Sequence, residues 1–413
     1  MSVKNKILTF VESQEFLAYL IALILSTLFI GFAPSSIAVG IFIFFSIKYA
    51  LAQKKKVKIE IRLLVPIIIY LFFALSLIWT VDVEQSKKGL DRTVVLLLIP
   101  IAFNLIPKFT KKGFNLIFKI FTEANVLYGL FFFVSAFTRY LKSGSFSVFT
   151  YHELVSDLNL NAIYVSVMFI ISLFYLLSLR AKSNLQILKI LFLSLLIILL
   201  SSKTILFVLV LGFIIYVFSF RLSRVKLISM MLIGVAIVGF ASKKTIERLI
   251  FEKETKINEV WTKKEFGQVY LWTGTSIRLL QLRILKEQME EESIFWKGFG
   301  LFASKDNIKK RHLVFNTYPG FHNYNYHNQY AQIFSETGII GLFFTFCMLI
   351  ILFVKAFKSK SYLLLMFALT ISFVFFTESF LWRQSGLFLF IILYCLFIRT
   401  ITGNDIVETK QVY

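Results

Sequence analysis

The chain has 413 residues, of which 58% are hydrophobic and 17% aromatic, whereas only 16% are charged. A soluble globular chain carries roughly 25% charged residues, so this composition excludes a water-soluble enzyme. Lysine and arginine number 45 against 23 aspartates and glutamates, which gives a net charge of +22. Most of the short basic clusters lie between hydrophobic runs, so we expect them to set membrane topology and contact anionic lipid rather than nucleic acid.

The hydrophobic runs, of roughly 16 to 22 residues without a charge, are long enough to cross the hydrocarbon core of a bilayer as helices. We therefore predict an all-α, polytopic integral membrane protein with about twelve transmembrane helices. No cleavable signal is expected, because the first run is followed almost at once by a second. The predicted spans are residues 16–33, 36–52, 63–81, 93–107, 115–137, 161–179, 185–200, 204–220, 227–241, 337–354, 361–377 and 384–399.

The basic residues predict the orientation of these spans. With the N-terminus in the cytoplasm, the short cytoplasmic loops carry sixteen lysines and arginines and the short external loops carry seven. This excess favours cytoplasmic N- and C-termini. The predicted domains are residues 1–241 with spans one to nine, a large external loop at 242–336, and residues 337–413 with the last three spans and a cytoplasmic tail.

Within the large loop, residues 276–292 have the apolar spacing of a helix, with Ser276 as a candidate N-cap. Arg278 and Arg283 are five positions apart, so on a helix they point about 140° away from each other. We therefore expect one of them at most to face a functional site.

The loop ends in a polar, aromatic stretch at Asn316 to Tyr330, in which four tyrosines, four asparagines and two histidines occur among fifteen residues. An interfacial aromatic belt explains the tyrosines taken singly. The whole run favours a sugar-binding surface, which includes His322. His327 lies just before a helix that enters the membrane, where its imidazole is placed to accept a proton from a hydroxyl at neutral pH. The alternative for His327 is a solvated polar residue of the loop.

Ionisable residues also lie at the outer ends of spans. Lys203 interrupts an apolar stretch on the external side, which makes it a functional candidate. The alternative is a turn lysine whose ammonium group reaches the interface. Glu378 and Arg383, in the turn between the last two spans, could pair with each other, and we favour a structural role for both.

Four short sequence passages are informative when they are considered together, in the order in which they occur along the chain. They are L-S-L-I-W-T-V-D at 75–82, L-L-S-S-K-T at 199–204, S-I-R at 276–278 with G-F-G at 298–300, and H-N-Q-Y at 327–330 with E-T-G-I-I-G at 336–341. Together they resemble the O-antigen ligase and O-antigen polymerase family of bacterial membrane glycosyltransferases.

The chain departs from the family pattern at two positions. The family usually has arginine where Lys203 stands, and a lysine keeps the charge but lacks the bidentate fork that suits phosphate. The family often has His-Pro before the tyrosine of span six, whereas this chain has Asn161 and Ala162 ahead of Tyr164.

The resemblance implies a GT-C-like fold in the bacterial inner membrane, with the large loop in the periplasm. It implies transfer of a glycan from undecaprenyl pyrophosphate to a sugar hydroxyl, with inversion and without a metal ion or other cofactor. In that reaction Arg278 is expected to stabilise the leaving diphosphate, with Lys203 as a second cation. His327 is expected to act as the general base. The resemblance also suggests a substrate-binding role for Asn328, Tyr330 and Trp79, and the polar, aromatic run suggests the same role for His322.

Two possible functions share this leaving-group chemistry and differ in the acceptor. A ligase transfers the glycan to the lipid A-core, and a polymerase adds it to another undecaprenyl-linked unit. We favour ligation, because the chain has one large external loop rather than two comparable ones. A polysaccharide flippase or other transporter is the alternative from another class, and a non-catalytic scaffold of an envelope complex is a third. The expected partners are the lipid-linked donor, the glycan acceptor and membrane lipids, with no nucleic acid.

Overall fold

The computed structural model describes residues 10–53, 58–220, 256–267 and 269–401. Helices make up most of this part of the chain. They are α1 (Gln14–Thr27), α2 (Phe32–Gln53), α3 (Leu64–Leu75), α4 (Val83–Thr93), α5 (Val95–Leu105), α6 (Lys111–Ser143), α7 (Tyr151–Leu154), α8 (Ala162–Ser178), α9 (Asn184–Leu199), α10 (Lys203–Phe220), α11 (Ile257–Thr262), α12 (Gly274–Glu291), α13 (Lys305–Val314), α14 (Gln329–Ser359), α15 (Tyr362–Thr377) and α16 (Gln384–Ile398).

A helix occupies each predicted span that falls within the described residues, whereas the predicted span at 227–241 lies outside them. Among the described residues, four helical segments are long and apolar enough to cross a membrane by length and composition, and six shorter helices are apolar. The chain is therefore an all-helical membrane protein in the part described. The number of spans stays a prediction.

The apolar helices differ in which faces they bury. Helices α8 and α16 are buried on every side along almost their whole length, so they form the centre of the bundle. The outer helices instead present large apolar side chains away from the protein, such as Phe44, Leu71, Phe207 and Phe343. An apolar surface of this extent is expected to contact lipid.

The end of the bundle opposite the loop contains buried cations. The Lys355 ammonium group donates to the carbonyl oxygen of Ile398 at 3.0 Å, and the Arg399 guanidinium donates to that of Ile106. Cations near helix C-termini interact favourably with the exposed carbonyls and the helix dipole. The basic residues of the sequence predict that this end of the bundle is cytoplasmic, and its orientation stays a prediction.

The described part of the loop, residues 256–267 and 269–328, contributes to two small apolar cores, and α12 contributes to both. The N-cap of α12 is Thr273 rather than the expected Ser276. The Thr273 hydroxyl accepts from the Ser276 amide, and the Ser276 hydroxyl accepts from the Thr273 amide. This capping box moves the start of the helix three residues earlier, because the N-cap is Thr273 and not Ser276.

Backbone contacts at glycines fix the loop onto α14. Gly338, with φ +63°, forms a kink inside α14, and a β-carbon there would lie 2.3 Å from the carbonyl carbon of Trp296. Gly298 has φ +64° and packs against the backbone of Glu336 just as closely. The Gly300 amide donates to the Glu336 carbonyl at 2.8 Å. Only glycine permits this approach of two backbones, so two of the four sequence passages are in direct contact.

Candidate active site

The C-terminal end of α15, at Thr377 and Glu378, is the point where several predicted site residues meet. His327 comes from the end of the loop, Arg278 from the first turns of α12, and Lys203 from the start of α10. These residues are separated by between 49 and 124 positions in the sequence, so only the tertiary structure brings them together.

His327 lies beside the carboxylate of Glu378, a residue for which the sequence favours a structural role. Its Nδ1 lies 3.5 Å from Oε2 of Glu378, whose side chain is 3% exposed. Nδ1 itself is buried, whereas the side chain as a whole is 25% exposed, so the accessible part of the ring is the side that bears Nε2. The backbone of His327 has φ +45°, and its amide donates to Oδ1 of Asn325 at 2.9 Å.

Arg278 binds the residue next to Glu378. Its Nε donates to the carbonyl oxygen of Thr377 at 3.1 Å, and Nη1 donates to that of Gly274 at 2.8 Å. These bonds leave Nη2 available to a ligand. Within the described parts of the chain, Arg278 has no carboxylate within ion-pair distance, so its charge is not neutralised by a neighbouring side chain.

Arg283 lies on the other side of α12 and has different partners. Its guanidinium donates to the carbonyl oxygens of Val260 and Lys263 and forms an ion pair with Glu287. It also lies 4.5 Å above the ring of Phe315. The expectation that at most one of the two arginines faces the site therefore agrees with the structure, and the one next to α15 is Arg278.

Lys203 is the first residue of α10 and is half-buried. The hydroxyl of the next residue, Thr204, donates to the hydroxyl of Thr377 at 2.9 Å. The start of α10 is thereby held against the same end of α15 that Arg278 and His327 contact. A second cationic side chain thus originates beside the site.

Asn328 and Tyr330 hold the helix that follows His327. The Asn328 side chain caps α14 by accepting from the Ala331 amide at 3.0 Å. The Tyr330 hydroxyl donates to the Ser372 carbonyl at 3.2 Å, and its ring stacks on Phe346. Both side chains therefore make structural contacts within the protein, and their predicted role in substrate binding stays a prediction.

His322 and Trp79 lie in different parts of the loop region. The His322 ring lies 6.2 Å from that of His312, and its Nε2 is 3.3 Å from the Thr317 carbonyl oxygen. Burial, followed by the nearby His322, lowers the pKa of His312 to about 4, so His312 is neutral at neutral pH. The indole of Trp79 donates to the Lys297 carbonyl at 2.9 Å and so ties the loop to the end of α3.

The expected pairing of Glu378 with Arg383 is wrong in the structure. The carboxylate of Glu378 contacts His327, and the guanidinium of Arg383 lies 5.6 Å from the ring centroid of Tyr164. The signal that could have identified Glu378 was present in the sequence, since an ionisable residue at the end of a membrane helix is a functional candidate.

A buried polar network holds the turn that carries Glu378 against the start of α14. The carboxyl of Glu336, 1% exposed, accepts from Ser304 in the loop and from the indole of Trp382 in the turn. Gln332 donates to the same carboxyl. The side-chain oxygen of Gln329 accepts from the Leu381 amide at 2.6 Å. These bonds determine the position of Glu378 relative to His327, as a supporting shell does in a preorganised site.

A comparison with known families identifies part of the chain. Residues 187–346 match the family model described as O-antigen ligase. No curated protein matches the chain. The matched stretch includes Lys203, Arg278 and His327, whereas Trp79 and Glu378 lie outside it. The match confirms the family resemblance that the sequence passages indicated.

Proposed function

We propose, on the premise that residues 187–346 match the O-antigen ligase family, that this membrane protein is a glycosyltransferase of the O-antigen ligase type. It transfers a glycan from undecaprenyl pyrophosphate to a sugar hydroxyl of the lipid A-core at the periplasmic face. The observation that carries the proposal is that Arg278 contacts Thr377, the last residue of α15, and His327 contacts Glu378, the residue that follows it.

The leaving group requires positive charge. As the acceptor oxygen attacks the anomeric carbon, the bond from that carbon to the diphosphate oxygen breaks and the diphosphate keeps the electron pair. A fixed cation stabilises this developing charge more in the transition state than in the ground state. Arg278 suits the task, because its guanidinium is already oriented by two carbonyl oxygens and has no acidic partner in the described residues. Lys203 supplies a second positive charge from the start of α10.

The acceptor hydroxyl requires a base. We assign its proton to Nε2 of His327, the nitrogen on the accessible side of the ring. The imidazolium that forms is stabilised by the negative charge of Glu378, whose Oε2 lies 3.5 Å from Nδ1. A buried carboxylate that fixes the tautomer and orientation of a catalytic histidine is a recurring arrangement in acyl-transfer enzymes, and it serves the same purpose here. Attack from the face opposite the diphosphate accounts for inversion.

Purified protein provides the test of this mechanism. We expect Arg278→Ala and His327→Ala to lower the rate of glycan transfer from an undecaprenyl-pyrophosphate donor by at least about 100-fold, the size typical for loss of a general base or a charge-stabilising donor. Lys286→Ala is the matched control, since Lys286 is on the same helix as Arg278 and its side chain is 65% exposed. Full activity of both active-site variants would remove these roles.

The choice of acceptor is tested separately in cells. Deletion of a ligase leaves lipid A without long chains while undecaprenyl-linked polymer accumulates. Deletion of a polymerase leaves single-repeat caps on the lipid A-core. Lipopolysaccharide profiles of a deletion strain therefore decide between ligation, which we propose, and polymerisation by the same leaving-group machinery.

The scaffold alternative required separate positions for Lys203, Arg278 and His327. Their arrangement around the end of α15 argues against it. The flippase alternative is distinguished by the same purified assay, because a transporter forms no glycosidic bond.

A further inference from the structure

A row of aromatic rings leads across the surface of the loop to His327. The ring centroid of Tyr318 lies 5.6 Å from that of Phe321, which lies 5.3 Å from that of Tyr324. The Tyr324 centroid in turn lies 5.0 Å from that of His327. We refer to Tyr318, Phe321 and Tyr324 as the aromatic row.

The backbone explains why these rings are neighbours. The Phe321 amide donates to the Tyr318 carbonyl, and the Tyr324 amide donates to the Phe321 carbonyl, each at 3.0 Å. Residues Pro319–Phe321 form a short 3₁₀ helix. Successive turns of this type bring side chains three positions apart onto the same side. The aromatic row therefore results from the three-residue spacing of its side chains, and it ends at His327, the proposed base.

Phe321, at the centre of the aromatic row, packs against the rest of the loop, whereas Tyr318 and Tyr324 at its ends are exposed. Phe321 packs edge-on against Trp272, 5.7 Å away, and both rings adjoin the second apolar core of the loop. Tyr318 is 52% exposed and Tyr324 is 37% exposed. A ligand that contacts these rings meets a surface already held in place, so little side-chain entropy is lost on binding.

The charge pattern indicates what kind of ligand fits. Residues 313–335 contain no lysine, arginine, aspartate or glutamate, although the chain has a net charge of +22. A surface for anionic lipid headgroups is expected to carry cations. This one offers aromatic faces together with the exposed amide side chains of Asn316 and Asn323. A sugar ring has complementary chemistry, with apolar C–H faces that stack on aromatic rings and hydroxyls that bond to amides.

We propose that the aromatic row is a binding subsite for the sugar chain of the acceptor, which it holds in line so that the terminal hydroxyl reaches His327. This inference rests on the proposed function, because it names the part of the surface that the acceptor glycan occupies. Tyr324 contacts the sugar that reacts, and Tyr318 contacts a sugar farther from the reacting end.

Direct binding tests the subsite without requiring any transfer. The probe is core oligosaccharide, released from lipid A by mild acid and labelled with fluorescein, and its binding to the purified protein is followed by fluorescence anisotropy. We expect Tyr318→Ala and Tyr324→Ala each to weaken binding about tenfold, the size expected when one aromatic contact of ~1.4 kcal/mol is lost. Trp261→Ala is the control, because Trp261 is a loop residue of matching exposure, 39%.

Transfer assays with the same variants complete the test. Tyr324→Ala should raise the acceptor KM about tenfold and change kcat less, because stacking contributes to ground-state and transition-state binding alike. Thermal denaturation should be unchanged, since both tyrosines are exposed.

The results distinguish failure of the proposed subsite from failure of the proposed function. Loss of oligosaccharide binding in the two tyrosine variants supports the subsite even if the wild-type protein transfers no glycan, in which case the proposed function alone fails. Equal affinity and equal KM in all variants overturn the subsite even if transfer is normal. Reduced binding to vesicles of anionic phospholipid, with unchanged binding of oligosaccharide, also overturns it and indicates a membrane interface.

Discussion

Glu378 is the residue whose role the structure changes most. The sequence places it in a short turn five positions before Arg383, and proximity along the chain suggests that these opposite charges pair. The carboxylate instead lies against His327, which precedes it by 51 positions. Side-chain contacts between the turn and α14 place Glu378 beside His327, so its carboxylate does not pair with Arg383.

The carboxylate of Glu378 is expected to act through His327 and not by touching the substrate. Glu378→Gln keeps the size of the side chain and removes the charge that stabilises the imidazolium. We expect a kcat about 10- to 100-fold lower with little change in the acceptor KM, the pattern for an interaction made in the transition state. Steady-state kinetics of purified transfer measure both quantities.

Glu378→Asp is the matched variant for this prediction. It retains the negative charge and should recover part of the kcat that Glu378→Gln loses. An equal loss in both variants, together with a lower melting temperature, would indicate that Glu378 only supports the fold of the turn.

At the scale of elements, the kink of α14 decides how the loop is attached. The loop crosses the helix where Gly338 leaves room for the backbone of Trp296, and Gly298 and Gly300 supply the matching close approach. Four backbone hydrogen bonds join residues 81, 295, 299, 300, 335, 336 and 339 at this crossing. The glycine-containing passages therefore have a structural explanation, because they fix the loop above the end of α15.

Gly338→Ala tests that explanation. Its φ of +63° is strained for alanine, and the new methyl group would meet the Trp296 carbonyl, so we expect a loss of stability of at least about 2 kcal/mol. Gly40→Ala is the control, because no atom lies within 4 Å of the added carbon in α2. Melting temperatures from fluorescence-detected size-exclusion chromatography compare the two variants. A similar melting temperature for both would show that the crossing tolerates a side chain and is not the anchor of the loop.

At the scale of the whole molecule, the proposed function depends on which side of the membrane the loop occupies. Buried cations lie at the end of the bundle opposite the loop, and the basic short loops predict that this end is cytoplasmic. The basic residues therefore predict an orientation with the loop outside, and the proposed function requires it.

Cysteine labelling tests the orientation. In a Cys347→Ser, Cys395→Ser background, Lys305→Cys in the loop should react with a membrane-impermeant maleimide in intact spheroplasts. Lys358→Cys, at the other end of α14, should react only after permeabilisation. The reverse pattern would place the loop in the cytosol and remove the proposed function.

The sequence by itself determined the class of the molecule, because transfer of a segment into a bilayer depends on its own composition and length. The apolar runs gave the positions of the helices, and the basic clusters gave an orientation. The short passages indicated the family resemblance, which the match of residues 187–346 supports. Local spacing also determined that Arg278 and Arg283 point in different directions, since the helical repeat fixes that angle.

Only the tertiary structure decided which charges meet. The partner of His327, the anchoring of Arg278 on the Thr377 carbonyl and the contact of the glycine passages all join residues that are far apart in the chain. Their geometry is set by many weak contacts among several helices, such as the bonds of Gln329, Gln332 and Glu336. No local pattern in the sequence encodes a distance that depends on so many elements at once.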